Sequence, residues 1–382
     1  MRHLRRLALL AFLAALAPVL GALLWMVTGP SLEARSAALL AGQATAWEDP
    51  DTRARTTAEL RRMNPEWDFM RRTFLVLAAA DRALAHPEEA DRWLALADDV
   101  IDSTLADEAA FGHRHFLLDY AGAKPWVDPA RRSLFVDGEI ALMLGARRLV
   151  RDDPRLAGLH RSRVARVAAS FDAAPAGLPE SYPDEAWLFC VTNALVGVRM
   201  ADVLDGTDHQ ALVDGFLARV PGLLHPASGL LNSEVTSAGA ALDGPEGSSL
   251  WLVVTNLAVL DPTLANAQYD GAVRDLYHEA LGLGWASEWG PTWRGPVDVD
   301  SGPIVPILDA SPSSSGFALL ATRAFRDDRR HAALARSLRA ADLLLVLDPR
   351  LAELAGNPMG DVILLYALGH GPLWDRLRGP ST

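Results

Sequence analysis

The sequence predicts an all-α fold, an (α/α)6 barrel or helical toroid standing behind an N-terminal transmembrane helix. Three observations lead there. Six nearly all-apolar helical runs recur along the chain, at Glu66–Ala85, Ser133–Val150, Asp184–Leu204, Ser248–Leu260, Ser313–Phe325 and Met359–Gly369. Amphipathic runs decorated with Arg and Asp alternate with them, at Glu89–Leu105, Arg155–Phe171, Asp208–Val220, Thr263–Leu283 and Asp327–Leu347. A helix apolar around most of its circumference has to be buried, and one with a polar face lies outside it, so the alternation implies two layers. The third observation is the lack of βαβ alternation and of a phosphate-binding glycine loop. In a closed ring the lead-ins to the six inner helices gather at one end.

Residues 1–28 are read as a membrane anchor or signal segment. Met1–Arg6 is strongly basic, and Leu7–Val27 then runs 21 residues without a charge, long enough to span a bilayer as a helix. The basic flank predicts a cytoplasmic N-terminus and a barrel on the extracytoplasmic side of the cell membrane. A cleaved signal peptide is the competing reading, but its apolar region is shorter and ends in a small-x-small site, so a retained single-pass anchor is favoured. Residues 29–60 form a tether, Thr28–Ser36, followed by lead-in helices over Ala37–Leu60 broken at Glu48-Asp49-Pro50. Residues 61–382 form the barrel.

Composition narrows the function. Of 382 residues, 50% are hydrophobic and 22% charged, enough for a large core. A net charge of −12 argues against a nucleic-acid partner. Cys190 is the only cysteine, which excludes an internal disulfide and a four-cysteine zinc site. Histidines 113 and 115 form a weak metal signal with no third ligand, and no metal or cofactor is expected.

The lead-ins supply the candidate site. In Met63–Ala85, Asn-Pro at 64–65 starts a helix whose first turn carries Glu66, Trp67 and Asp68. Carboxylates suit that position as caps at the positive end of the helix dipole, and also as groups at the rim of a core. The second lead-in gives Asp137 and Glu139, the third Tyr182, Asp184, Glu185, Trp187, Cys190 and Asn193, and the fourth Glu246 and Trp251. The long fifth segment gives Asp300, and the sixth Asp361. Asp137, Glu139 and Asp361 fall in or beside apolar runs, where burial raises a carboxyl pKa and suits a general acid. Glu139 equally fits a structural acid hydrogen-bonded to a neighbouring loop. Tryptophans are dense in the lead-ins and would line a pocket or fill the core.

The runs NPEWDFMRRTFLVLA, DGEIALMLGARRLV, YPDEAWLFCVTNALVG and DVDSGPIVP together resemble the linalool dehydratase/isomerase family over roughly Arg61–Gly371. The resemblance implies an (α/α)6 barrel and cofactor-independent removal of water from a terpenoid alcohol, or migration of its hydroxyl. It matches Asp68 to the family's catalytic aspartate. It places Glu139 where the family has a catalytic histidine, Phe74 near a functional tyrosine, and Cys190 close to one of a cysteine pair.

The expected function is therefore acid–base dehydration or isomerisation of a small apolar alcohol by a membrane-anchored enzyme. Asp68, Glu139 and Cys190 are the catalytic candidates. Trp67, Phe74, Tyr182, Asp184, Glu185, Asn193, Trp251 and Asp300 are the substrate-binding candidates. A carbohydrate-active hydrolase or lyase on the same toroid, or a non-catalytic binding barrel, is the alternative. The oligomeric state is open, a homo-oligomer included.

Overall fold

The structure, a computed structural model, describes residues 29–297, 304–347 and 358–378. The expected membrane segment Leu7–Val27 and the candidate Asp300 lie outside them. Among the described residues no helix is long and apolar enough to cross a membrane.

The described chain is mostly helical. In order, the helices are α1 (Leu32–Glu48), α2 (Pro50–Met63), α3 (Pro65–Ala85), α4 (Ala90–Phe111), α5 (Leu134–Val150), α6 (Pro154–Ala173), α7 (Leu188–Asp205), α8 (Gln210–Leu217) and α9 (Val220–Leu223). They continue with α10 (Gly247–Leu260), α11 (Pro262–Leu276), α12 (Pro312–Ala324), α13 (Asp328–Leu347), α14 (Pro358–Gly369) and α15 (Pro372–Arg378). Many starts carry the expected chemistry. Asn64, Ser133, Asp261 and Ser311 each accept a hydrogen bond from a first-turn N–H, and Pro65, Pro262 and Pro312 follow directly.

The apolar helices pack in chain order, α3 on α5, α5 on α7, α7 on α10, α10 on α12 and α12 on α14, and α14 packs back on α3. The amphipathic helices α4, α6, α11 and α13 each lie against the apolar helix that precedes them. The closest pair is α5 and α7. A Cβ on Gly138 would sit 2.8 Å from that of Ala194, and one on Gly197 would sit 2.9 Å from the Leu142 nitrogen, so neither helix could approach without glycine.

Four local expectations are corrected. The helix expected over Thr263–Leu283 stops at Leu276, and the chain turns into a hairpin, β4 (Tyr277–Ala280) with β5 (Leu283–Ala286). The run expected to start at Asp184 becomes helical only at Leu188. Asp184 itself is left-handed, with φ 58°, and Ala186–Trp187 forms strand β1 in a small antiparallel sheet with β2 (Glu234–Val235) and β3 (Ala241–Asp243). Thr28–Ser36 is not all tether, because Ser31 caps a helix that starts at Leu32. Leu40, Ala44, Trp47 and Leu60 are buried, so α1 and α2 belong to the core. Asp361, expected near the core, is exposed.

Candidate active site

A cavity of about 140 Å³ opens where the N-terminal ends of the six apolar helices meet. Each helix gives it an apolar side chain: Met70, Phe135, Cys190, Leu252, Phe317 and Ile363. Trp67 and Trp187 complete that wall. The polar lining is sparse and consists chiefly of Glu66, Tyr120, Tyr182, Glu246 and Ser249. An apolar cavity with a few placed polar groups is the usual form of a small-molecule site.

The polar groups are coupled. Tyr182 donates its hydroxyl proton to Glu66 and accepts the Leu118 N–H at 2.9 Å. Burial and the Glu66 charge push the Tyr182 phenol well above its ordinary range, so it stays a donor. Tyr120 stacks on Tyr182 with ring centroids 4.7 Å apart, and its hydroxyl donates to Glu185 Oε2 at 2.9 Å. Lys124, the only lysine, donates to the other Glu185 oxygen at 2.9 Å. Glu234 on β2 shares a hydrogen bond with Glu185. Burial, then the Glu185 charge, pushes the Glu234 carboxyl up to about 8, so the pair keeps a proton at neutral pH. On the opposite side of the ring, Glu246 precedes α10 and accepts from the Ser249 hydroxyl at 3.3 Å.

Of the catalytic and substrate-binding candidates, Trp67, Tyr182 and Cys190 line the cavity, and so do the lead-in residues Glu66, Trp187 and Glu246. The Cys190 thiol is pushed up by burial and is a poor nucleophile. Glu185 reaches the rim through Tyr120. Asp68 does not line the cavity. It is fully buried on the other face of α3, where it accepts from Arg72 at 2.9 Å, and Arg72 also reaches Asp107 at 2.8 Å. Two residues along a helix turn through about 200°, which sends Glu66 to the cavity and Asp68 to the outer layer.

The same rotation separates Asp137 from Glu139. Asp137 faces outward, paired with Arg132 and Arg163. Glu139 faces the ring's interior and accepts from Asn193 Nδ2 at 2.7 Å. Asn193 in turn accepts from Asn256 Nδ2 at 2.5 Å, so a buried polar ladder crosses α5, α7 and α10 below the cavity. Burial pushes the Glu139 carboxyl up to about 7 against the pull of its Thr73 and Asn193 hydrogen bonds.

Phe74 and Trp251 are core residues. Phe74 stacks on Tyr366 at 5.1 Å, and the Trp251 indole donates to Ser314 at 3.2 Å. Asp184 accepts from Ser237 at 2.6 Å, away from the cavity. His115 Nδ1 lies 3.3 Å from Arg61, and His113 packs edge-on to Trp126. Among the described residues, His86, Glu88 and Glu89 have metal-ligand spacing, but they sit at the far end of α3, and Arg82 clamps Glu89 with two hydrogen bonds.

Tyr120 and Glu234 escape the sequence reading. Tyr120 sits in a 3-10 turn between helices and Glu234 in a two-residue strand, so neither has a periodic signal. No protein-family model matches the chain, and no curated protein sequence matches it.

Proposed function

We propose that the chain is an (α/α)6-barrel enzyme that dehydrates or isomerises a small apolar alcohol by acid–base catalysis, as its resemblance to the linalool dehydratase/isomerase family implies. The closing order of the helix packing supports the barrel. The observation that carries the chemistry is the cavity itself, an apolar aromatic pocket with carboxylates on opposite sides of the ring, Glu66 and Glu246. The Glu185–Glu234 pair is the proton source, and it reaches the cavity through the Tyr120 hydroxyl. Glu234 passes its proton to Glu185, and Glu185 passes one to the Tyr120 oxygen as the Tyr120 hydroxyl, turned away from Glu185, gives its own proton to the leaving hydroxyl. The proton thus originates on Glu234 and the phenol stays neutral. The C–O bond breaks with its electrons leaving on water, and the allylic cation is faced by the Trp67 and Trp187 rings and by Glu246. Glu66 removes a proton from the neighbouring carbon to give the alkene, or water returns at the other end of the allylic system. Sugar hydroxyls would need a more polar wall than Met70, Phe135, Phe189 and Phe317 offer, which sets the carbohydrate reading second. Leu7–Val27 anchors the barrel to the membrane, where such alcohols dissolve.

The test is incubation of the purified chain with a panel of allylic terpenoid alcohols and aryl glycosides, with products followed by mass spectrometry. Water loss or hydroxyl migration is expected, reduced about 100-fold or more in Glu66→Gln and Tyr120→Phe. Glycoside cleavage alone would move the assignment to a hydrolase, and tight binding of an alcohol without turnover would make the chain a binding barrel.

A further inference from the structure

Leu281 and Ile307 are fully exposed, at 103% and 104% of reference, and Leu308 is half exposed. Exposed single apolar residues are common, but these are held out by unfavourable backbone. Leu281 and Gly282 form the tip of the β4–β5 hairpin, both with positive φ, 52° and 78°. A turn of that kind ordinarily takes Asn or Gly at its first central position, not leucine. Ile307 has φ 73°, a conformation costly for a β-branched residue. Strain retained at an exposed apolar side chain points to a use for that side chain. The two tips form one surface. The Trp285 indole on β5 donates to the Leu308 carbonyl at 2.9 Å, and the Ser311 N–H donates to the Ala286 carbonyl at 2.9 Å.

The place where the chain leaves the described domain says what covers this surface. Arg336 on α13 donates to the Gly282 carbonyl at 2.7 Å, and Arg339, one helical turn on, donates to the Pro30 carbonyl at 3.3 Å. Pro30 lies three residues after Leu7–Val27, the uncharged 21-residue segment. The hairpin tip and the exit toward that segment therefore sit side by side on α13. Leu308 is also five residues before Ser313, which lines the cavity, so at most about 17 Å of chain separates that tip from the cavity wall.

We infer that Leu281, Ile307 and Leu308 dip into the bilayer surface beside the anchor and hold the cavity mouth against the lipid. Trp285 and the two arginines suit the headgroup level, where indole rings and guanidinium groups find both apolar and polar surroundings. Docking would give the cavity an apolar solute directly from the membrane. The inference rests on the proposed anchoring by Leu7–Val27, and the experiment separates the two.

The full chain is reconstituted into phosphatidylcholine–phosphatidylglycerol vesicles as Leu281→Cys, Ile307→Cys or Val203→Cys, each labelled with an environment-sensitive fluorophore. Cys190 is buried, so the unmutated chain serves as the labelling control. Val203 is exposed at the C-terminal end of α7, opposite the cavity. The expected result is blue-shifted emission, quenched by nitroxide-bearing lipid, at 281 and 307 and not at 203. Protein that floats with the vesicles while 281 and 307 behave like 203 overturns the docking and leaves the anchor. Protein that does not float with vesicles overturns both.

Discussion

Tyr182 donates to Glu66 across 116 residues of sequence, and this bond ties the start of α3 to the loop ahead of α7. The same hydroxyl accepts the Leu118 N–H, so one phenol oxygen organises three segments around the cavity. Tyr182→Phe leaves a part-buried N–H without its acceptor. It is expected to lower stability by about 1–3 kcal/mol, read from equilibrium denaturation. An unchanged midpoint would show that the bond does no structural work.

Asp68 carries a different expectation. It is fully buried against Arg72, and removing one partner of a buried pair strands the other charge. Asp68→Ala should cost about 3 kcal/mol. Loss of turnover in a variant that unfolds at the wild-type denaturant concentration would instead return Asp68 to the chemistry.

Glu139 sets a pH dependence. Its carboxyl rises from 4.5 to about 7 in the folded chain, so the folded state holds the proton more tightly than the unfolded state. That contribution is fully present below pH 4.5 and is lost as pH rises through 7, a span of about 3 kcal/mol. Glu139→Gln, which keeps the shape and cannot ionise, should flatten this part of the stability profile. Parallel curves for the two proteins between pH 4.5 and 7 would place the charge elsewhere.

Gly197 and Gly158 make a contrasting pair. A methyl group at 197 meets the backbone of α5, whereas nothing lies within 4 Å of one at 158 on the exposed face of α6. Gly197→Ala should destabilise by about 1–3 kcal/mol through forced separation of the helices. Gly158→Ala should stabilise by up to about 1 kcal/mol, because alanine is the better helix former. Thermal melts that move both variants in the same direction would contradict the close α5–α7 contact.

Most helix ends were legible because they depend on neighbours in sequence. Asn64-Pro65, Asp261-Pro262 and Ser311-Pro312 write their own starts, and the apolar runs mark the buried layer. The candidate site was legible only in part. Glu66, Trp67, Tyr182, Trp187, Cys190 and Glu246 line the cavity, while Phe74 and Trp251, chosen for the same residue chemistry, are packed inside the core.

Composition and periodicity determined that this chain is helical, that its helices fall into apolar and amphipathic sets, and that carboxylates and tryptophans cluster ahead of the apolar ones. The rotation of each helix about its own axis was decided only by tertiary packing. Glu66 and Asp68 carry nearly the same chemistry two residues apart, as do Asp137 and Glu139, and which of each pair turns inward depends on what the neighbouring helices present. Arg72, Arg132 and Arg163 draw Asp68 and Asp137 to the outer layer, and that leaves Glu66 and Glu139 facing in. Pairing of that kind is a contact between distant segments, and local sequence carries no term for it.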